Sequence, residues 1–211
     1  MKIKHLAIAA AALAASFTSA LAQTPTCQIG IQTGYSHANT ELSLGGFSID
    51  GIGSHSTRPD AGVRGGCDLT AGEFRFGAFA EWNNQDVTFS VNPGLFSASL
   101  GNSYSLGGRF GLVFDKVFAY GLVAWTHTDV SWSVAGPGLP SAFTGMTYGG
   151  GLEYPIRDTR VSLAMEARLT QFTSETIGGP GGLELQPDQL QAMLRLNWNF
   201  YDAPKAAKPL K

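Results

Sequence analysis

The links between the alternating segments of this chain follow a length rule that leaves few folds open. Eight stretches carry period-two polarity, at about 27–36, 61–69, 74–83, 102–113, 117–127, 144–154, 160–171 and 189–200. That period marks half-buried strands. After the second, fourth and sixth stretches the links are short: TAGE, FDK and PIRDT. After the first, third, fifth and seventh they run to roughly 16–24 residues, rich in Gly, Ser, Pro and Asn. Short turns at one end and long loops at the other are the plan of an up-and-down barrel that crosses an outer membrane, whereas a sandwich scatters its long loops. The expected fold is all-β, an eight-stranded antiparallel transmembrane β-barrel with short periplasmic turns and four long extracellular loops.

The two faces of the strands agree. The second strand sets Val63, Cys67 and Leu69 against Arg64, Gly66 and Asp68, and the third sets Phe74, Phe76, Ala78, Ala80 and Trp82 against Arg75, Gly77, Phe79, Glu81 and Asn83. The last sets Leu190, Ala192, Leu194, Leu196, Trp198 and Phe200 against Arg195, Asn197 and Asn199. The polar face carries glycine where a solvated face would carry lysine, and its cations are all arginine. A narrow lumen accounts for this: glycine leaves room, and Arg and acid side chains satisfy one another inside. The inward charges are then Arg64, Asp68, Arg75, Glu81, Arg109, Glu153, Glu166, Arg168 and Arg195, with one arginine in excess. Ser105, Ser162, Asn197 and Asn199 are placed to complete its hydrogen bonds. Eight strands leave an interior filled by side chains, so a structural plug is expected, with a small solute channel as the alternative. FAYGLVAW in the fifth strand fits either phase, and a bulge near Gly121 is one way to shift it.

The first segment reads as a secretion signal. Lys2, Lys4 and His5 precede the apolar run LAIAAAALAA, and residues 16–22 end in A-L-A, a small-x-small cleavage pattern. Cleavage after Ala22 assigns residues 1–22 to the signal peptide, 23–200 to the barrel and 201–211 to a disordered periplasmic tail. Removing Lys2 and Lys4 takes 14 basic residues to 12 against 16 acids, a formal charge of −4. Such a chain lacks the basic footprint of nucleic-acid binding. No later apolar run approaches the length of a membrane-spanning helix, so a spanning chain must use strands.

Several segments together resemble a known family. GGRFGLVFDKVFAYGLVAW (107–125) is similar to the central hairpin "GRxGYxxDRxLxYxxGGxAxG" of the small outer-membrane β-barrel family, in its opacity-protein-like, alphaproteobacterial surface-antigen branch. TGMTYGGGLEYPIRDTRVSLAMEARLTQF (144–172) looks like the next hairpin of that branch, and LRLNWNF (194–200) like its closing strand. Gly121-Leu122 replaces the GG of the pattern, and the chain continues past Phe200 as YDAPKAAKPLK. The resemblance implies residence in the bacterial outer membrane. It also implies contact with outer-membrane lipid and the barrel-assembly machinery, and a non-enzymatic role in envelope integrity, adhesion or surface antigenicity, toward host or envelope surface molecules. No cofactor is implied.

Cys27 and Cys67 are the only cysteines, and in an exported chain they are expected to pair. Cys27 opens the first strand and Cys67 lies near the end of the second, so an antiparallel pair brings both to the periplasmic end with outward parity. His37 and His55, with Asp50 and Asp60 nearby, fall in the first long loop. They offer an alternative function, loop-borne haem or metal binding, since some relatives of the family bind haem, but no metal site is assigned. His127, Asp129 and Ser131 invite a hydrolase reading, but Ser131 falls in a loop past the strand end, so no catalytic residue is assigned. GGPGG (178–182) lacks the lysine and helix of a phosphate loop.

Overall fold

The computed structural model describes residues 25–44, 47–55, 58–91, 96–133, 139–177 and 183–200. The expected signal peptide and tail lie outside them. The described residues form ten strands: β1 (Thr26–Leu44), β2 (Phe47–His55), β3 (Asp60–Ala71), β4 (Phe74–Val91), β5 (Phe96–Phe114), β6 (Val117–Trp132), β7 (Ala142–Pro155), β8 (Val161–Phe172), β9 (Glu175–Ile177) and β10 (Leu183–Asn199). All pairings are antiparallel, and β1 pairs with β10 from Gln28↔Asn199 to Ser43↔Glu184, which closes the sheet. The barrel has eight staves. β2 and β3 both pair with β1 and so make one interrupted stave, and β8 and β9, both paired with β10, make another.

The three short turns are built by residues that tolerate the left-handed region: Gly72 (φ 64°), Asp115 (φ 54°) and Asp158 (φ 58°). At this end Cys27 and Cys67 are direct cross-strand partners joined by a disulfide.

Three of the four connections expected as long loops are mostly strand, and β6 and β7 extend into the other. β1 and β2 run to within two residues of each other, and β4 and β5 to within four. β9 and the start of β10 occupy the last connection. Beyond the bilayer a wall needs no apolar outer face, so these stretches lose the alternation that marks the lower strands and read as polar loops.

The outward face carries an apolar band bounded by aromatic rings. Phe74, Phe110, Phe114, Tyr154 and Trp198 are exposed near the short turns, and Tyr35, Trp82, Tyr104, Trp125 and Tyr148 near the other end. From Phe114 to Tyr104 is ten steps along β5, about 33 Å of strand and about 25 Å of depth at a tilt near 40°. That is the height of the lipid-facing band of an outer-membrane barrel. Above Tyr104, β5 continues for eight more residues, so the barrel projects well past the upper ring.

Register also settles the fifth expected strand. Phe118, Tyr120, Leu122 and Ala124 of β6 point inward and are buried, while Val123 and Trp125 are exposed. No shift occurs at Gly121, where pairing with β5 and β7 is continuous. The irregularities lie higher, at Asn84/Val87 and Leu100/Ser103. Between Leu100 and Ser103, β5 changes phase, so Ala98 and Leu100 turn inward with Ser103 and Ser105.

Candidate functional site

The lumen is stratified, and its lowest layer is ionic. Arg109 from β5 holds Asp68 of β3 through Nε (2.9 Å to Oδ1) and Nη2 (2.5 Å to Oδ2), and its Nη1 lies 2.8 Å from Glu153 Oε2 on β7. The hydroxyl of Ser162 donates to the other oxygen of Glu153 at 2.6 Å. Arg75 stands at the edge of this layer, half-buried, with its guanidinium 4.8 Å from the centroid of Phe118. No ion pair of Arg75 occurs among the described residues.

The second layer is centred on Glu166 of β8. Its Oε1 accepts from Arg64 Nη1 (2.6 Å) and from the Tyr120 hydroxyl (2.5 Å), and Arg195 Nη1 lies 2.7 Å away, close but not aligned as a hydrogen bond. Its Oε2 accepts from Arg168 Nε at 2.7 Å and from Arg168 Nη2. Arg168 also reaches across to Glu81 of β4 at 2.7 Å, and Arg64 Nε lies 3.1 Å from the same carboxylate. Arg195 donates to Asn197 Oδ1 at 2.8 Å and to the Tyr120 oxygen at 3.2 Å. The side chains of Arg64, Glu81, Glu166, Arg168 and Arg195 are at most 3% exposed.

Glycine and aromatic side chains make this density feasible. A Cβ added at Gly151 would lie 2.7 Å from Glu166 Cγ and 2.9 Å from the Tyr120 oxygen, so only glycine lets the carboxylate seat there. The Arg64 guanidinium stacks 3.5 Å from the Phe79 ring centroid, and Arg109 lies over Phe118 and Tyr120 at 5.3 and 5.2 Å. Such stacking offsets part of the desolvation of a buried cation.

Layers built mainly of hydroxyl and amide side chains follow. The hydroxyls of Ser105, Thr126, Thr147 and Thr170 form a chain over four staves, with spacings of 2.9, 2.6 and 2.7 Å. Above them, Gln189 and Gln191 donate to Gln85 at 2.7 and 3.3 Å, and Ser36 donates to Asp60. Asp60, expected in the first loop, is fully buried in the lumen at the start of β3. It brings the inward acids to five, equal to the inward arginines.

The outermost described layer is apolar. Ala38, Val87, Ala98, Leu100, Val130, Phe143, Phe172 and Leu185 form one buried cluster, with Phe143 and Phe172 ring centroids 6.0 Å apart. Sequence reading missed this cluster because each member is a lone apolar residue in a polar stretch. The inward parity of β4, β6 and β8, extended past their apparent ends, would have located Val87, Val130 and Phe172.

The other candidates do not converge. Ser131 lies within β6, not in a loop, and shares its outward parity with His127 and Asp129. His127 Nε2 lies 3.7 Å from Asp129 Oδ1, but four residues of strand separate His127 from Ser131, about 13 Å, beyond hydrogen-bond reach. Among the described residues no three His, Cys, Asp or Glu side chains could hold a metal ion. Asp50 lies on β2, and GGPGG lies outside the described residues.

A closed antiparallel barrel with an apolar, aromatic-bounded exterior and a polar interior defines an outer-membrane β-barrel protein. The chain belongs to the outer membrane protein beta-barrel domain family, whose pattern matches residues 8–200. No curated protein matches it in sequence. Among solved structures it is similar to the outer membrane protein AlkL determined in lipid bilayers (TM-score 0.54, 13% identity, covering 90% of this chain and 97% of that one). It is also similar to OprG of Pseudomonas aeruginosa (TM-score 0.46, 15% identity, 83% and 96% covered) and to Ail, the attachment invasion locus protein of Yersinia pestis (TM-score 0.38, 15% identity, 80% and 98% covered). At these identities the likeness speaks to fold alone.

Proposed function

We propose that this chain is a non-enzymatic outer-membrane barrel with a structural plug for a lumen, and that it acts through its projecting extracellular wall in envelope integrity, adhesion or surface exposure. The observation that carries this reading is the Glu166 centre, where one carboxylate is bound by arginines from three staves. A water-filled channel has no use for cross-lumen ion pairs that occupy its axis. The apolar cluster above them adds a dry closure at the outer end. The hairpin motifs at 107–125, 144–172 and 194–200 support the opacity-protein-like branch. The proposed mature form starts at Gln23, after removal of residues 1–22, and ends in a basic periplasmic tail carrying Lys205, Lys208 and Lys211.

The projecting wall also constrains its partners. Beyond the upper aromatic ring the chain carries Glu41, Asp50, Asp86, Asp129, Glu175, Glu184 and Asp188 against Arg58 as the one full cation. Arg58 itself is paired with Asp86 at 3.1 Å. Like-charge repulsion disfavours polyanionic ligands at such a rim and favours cationic surfaces. Cell fractionation with N-terminal sequencing and gel mobility tests the reading. The protein should be found in the outer membrane, begin at Gln23, and migrate differently before and after boiling. Recovery as a detergent-free monomer from the periplasm would overturn it.

A further inference from the structure

Building on the plug reading, we propose that Asp60 makes the outer closure of the lumen pH-sensitive. With a neutral carboxyl the upper layers pack tightly; ionisation draws water beneath the apolar cluster and loosens them. On β3, Val63 faces Trp82 of the upper aromatic ring, and Asp60 stands further out, at the first position of the strand. It is fully buried, yet no ion pair of Asp60 occurs among the described residues.

The side chains that meet it are uncharged. From β1 the Ser36 hydroxyl donates to Oδ2. From β10 the Gln191 amide acts on the carboxylate and also donates to Ser36 at 3.1 Å. On β4, Asn84 pairs with Ala61, which puts Gln85 level with Asp60, and Gln85 accepts from Gln189 and Gln191 at 2.7 and 3.3 Å. The cations lie elsewhere. Arg64 is four steps below Asp60 on β3 and Arg195 four below Gln191 on β10, about 13 Å of strand in each case, and both face Glu166. Arg58 is exposed and paired with Asp86 at 3.1 Å. Asp86 and Asp188 alternate with the inward Gln85 and Gln189 and so belong to the other face of the wall.

The carboxylate is also short of donors. Its Oδ1 has no hydrogen-bond partner, and neither has Nε2 of Gln85. A buried carboxylate with no cation and an incomplete set of donors favours its neutral form, and burial holds the Asp60 carboxyl above the ordinary carboxylate range. Ionising it calls for water at the floor of the closure. Ala38 and Val87 of the apolar cluster are the next inward positions after Ser36 and Gln85. Because the folded protein keeps this proton to higher pH than the unfolded chain does, the stabilisation is full in acid. It is lost as pH rises through the folded value.

The test compares the mature wild-type barrel with Asp60→Asn in detergent at about pH 5 and about pH 8, with the gel shift verifying the fold. The amide stands in for the neutral acid at both values. Urea midpoints should match at the lower pH, and the wild type should fall below the variant at the higher. Deuterium exchange compared at equal pH should place the difference. Amides of residues 36–40 and 188–191 should exchange faster in the wild type at the higher pH and alike at the lower, while those around Glu166 do not differ. A constant offset at both pH values, a wild type at least as stable as the variant at the higher one, or failure of Asp60→Asn to fold would overturn the proposal. Steady conductance of the wild type at both pH values would overturn it together with the plug reading.

Discussion

Replacing Glu166 with alanine should lower the unfolding free energy of the barrel by about 3–5 kcal/mol, the usual cost of removing one partner from a buried ion-pair cluster. Arg64, Arg168 and Arg195 all face this carboxylate, with separations of 2.6 Å to Arg64 and 2.7 Å to Arg168 and Arg195. Without it, Arg168 and Arg64 retain only Glu81, and Arg195 loses its ion pair. Water cannot readily replace the lost oxygens, because the cluster is covered by the hydroxyl chain and the apolar layer on one side and by the Arg109 layer on the other. Equilibrium urea unfolding in detergent is the measurement. Glu175→Ala, on the short strand β9 outside this network, serves as control and should stay within about 0.5 kcal/mol of wild type. Equal midpoints for the two variants would mean that lumen water screens the arginines.

The second large effect belongs to the disulfide. Cys27 and Cys67 are 40 residues apart, and closing a loop of that length restricts the unfolded chain by about 4 kcal/mol in the chain-entropy account. The Cys27→Ala/Cys67→Ala variant should therefore unfold at distinctly lower urea, while its lumen network remains intact. The unreduced wild type should show a mass lower by two hydrogens than the reduced protein. Two thiols alkylated in denaturant without prior reduction would contradict the bond.

Where the barrel lies in the membrane, its sequence is legible, because one face must be apolar for lipid and the other polar for packed charges. Arg64, Glu81, Glu166 and Arg195 fall on the inner face by parity alone, and Cys27 and Cys67 by parity and chain direction. Parity fails in two places for identifiable reasons. Along β6 the inner face is itself apolar, since Phe118, Tyr120 and Leu122 pack beneath the arginines, so both phases of FAYGLVAW look alike. Beyond the upper aromatic ring the outer face becomes polar, and Gly, Ser and Asn then read as loop although hydrogen-bonded strand continues. The phase change of β5 between Leu100 and Ser103 hides the inward turn of Leu100, and the apolar cluster with it. The pairing of upper β1 with β2 was illegible for the same reason, since that stretch's polarity carries no strand signal.

Single-channel recording of the purified wild-type barrel in a planar bilayer tests the closed lumen most directly. Two successive obstructions, the apolar cluster from Leu100 to Phe172 and the arginine–carboxylate layers beneath it, predict a silent baseline at moderate voltage. Steady, reproducible openings whose ion selectivity changes in Glu166→Gln would contradict the account and assign the lumen to a conducting pore.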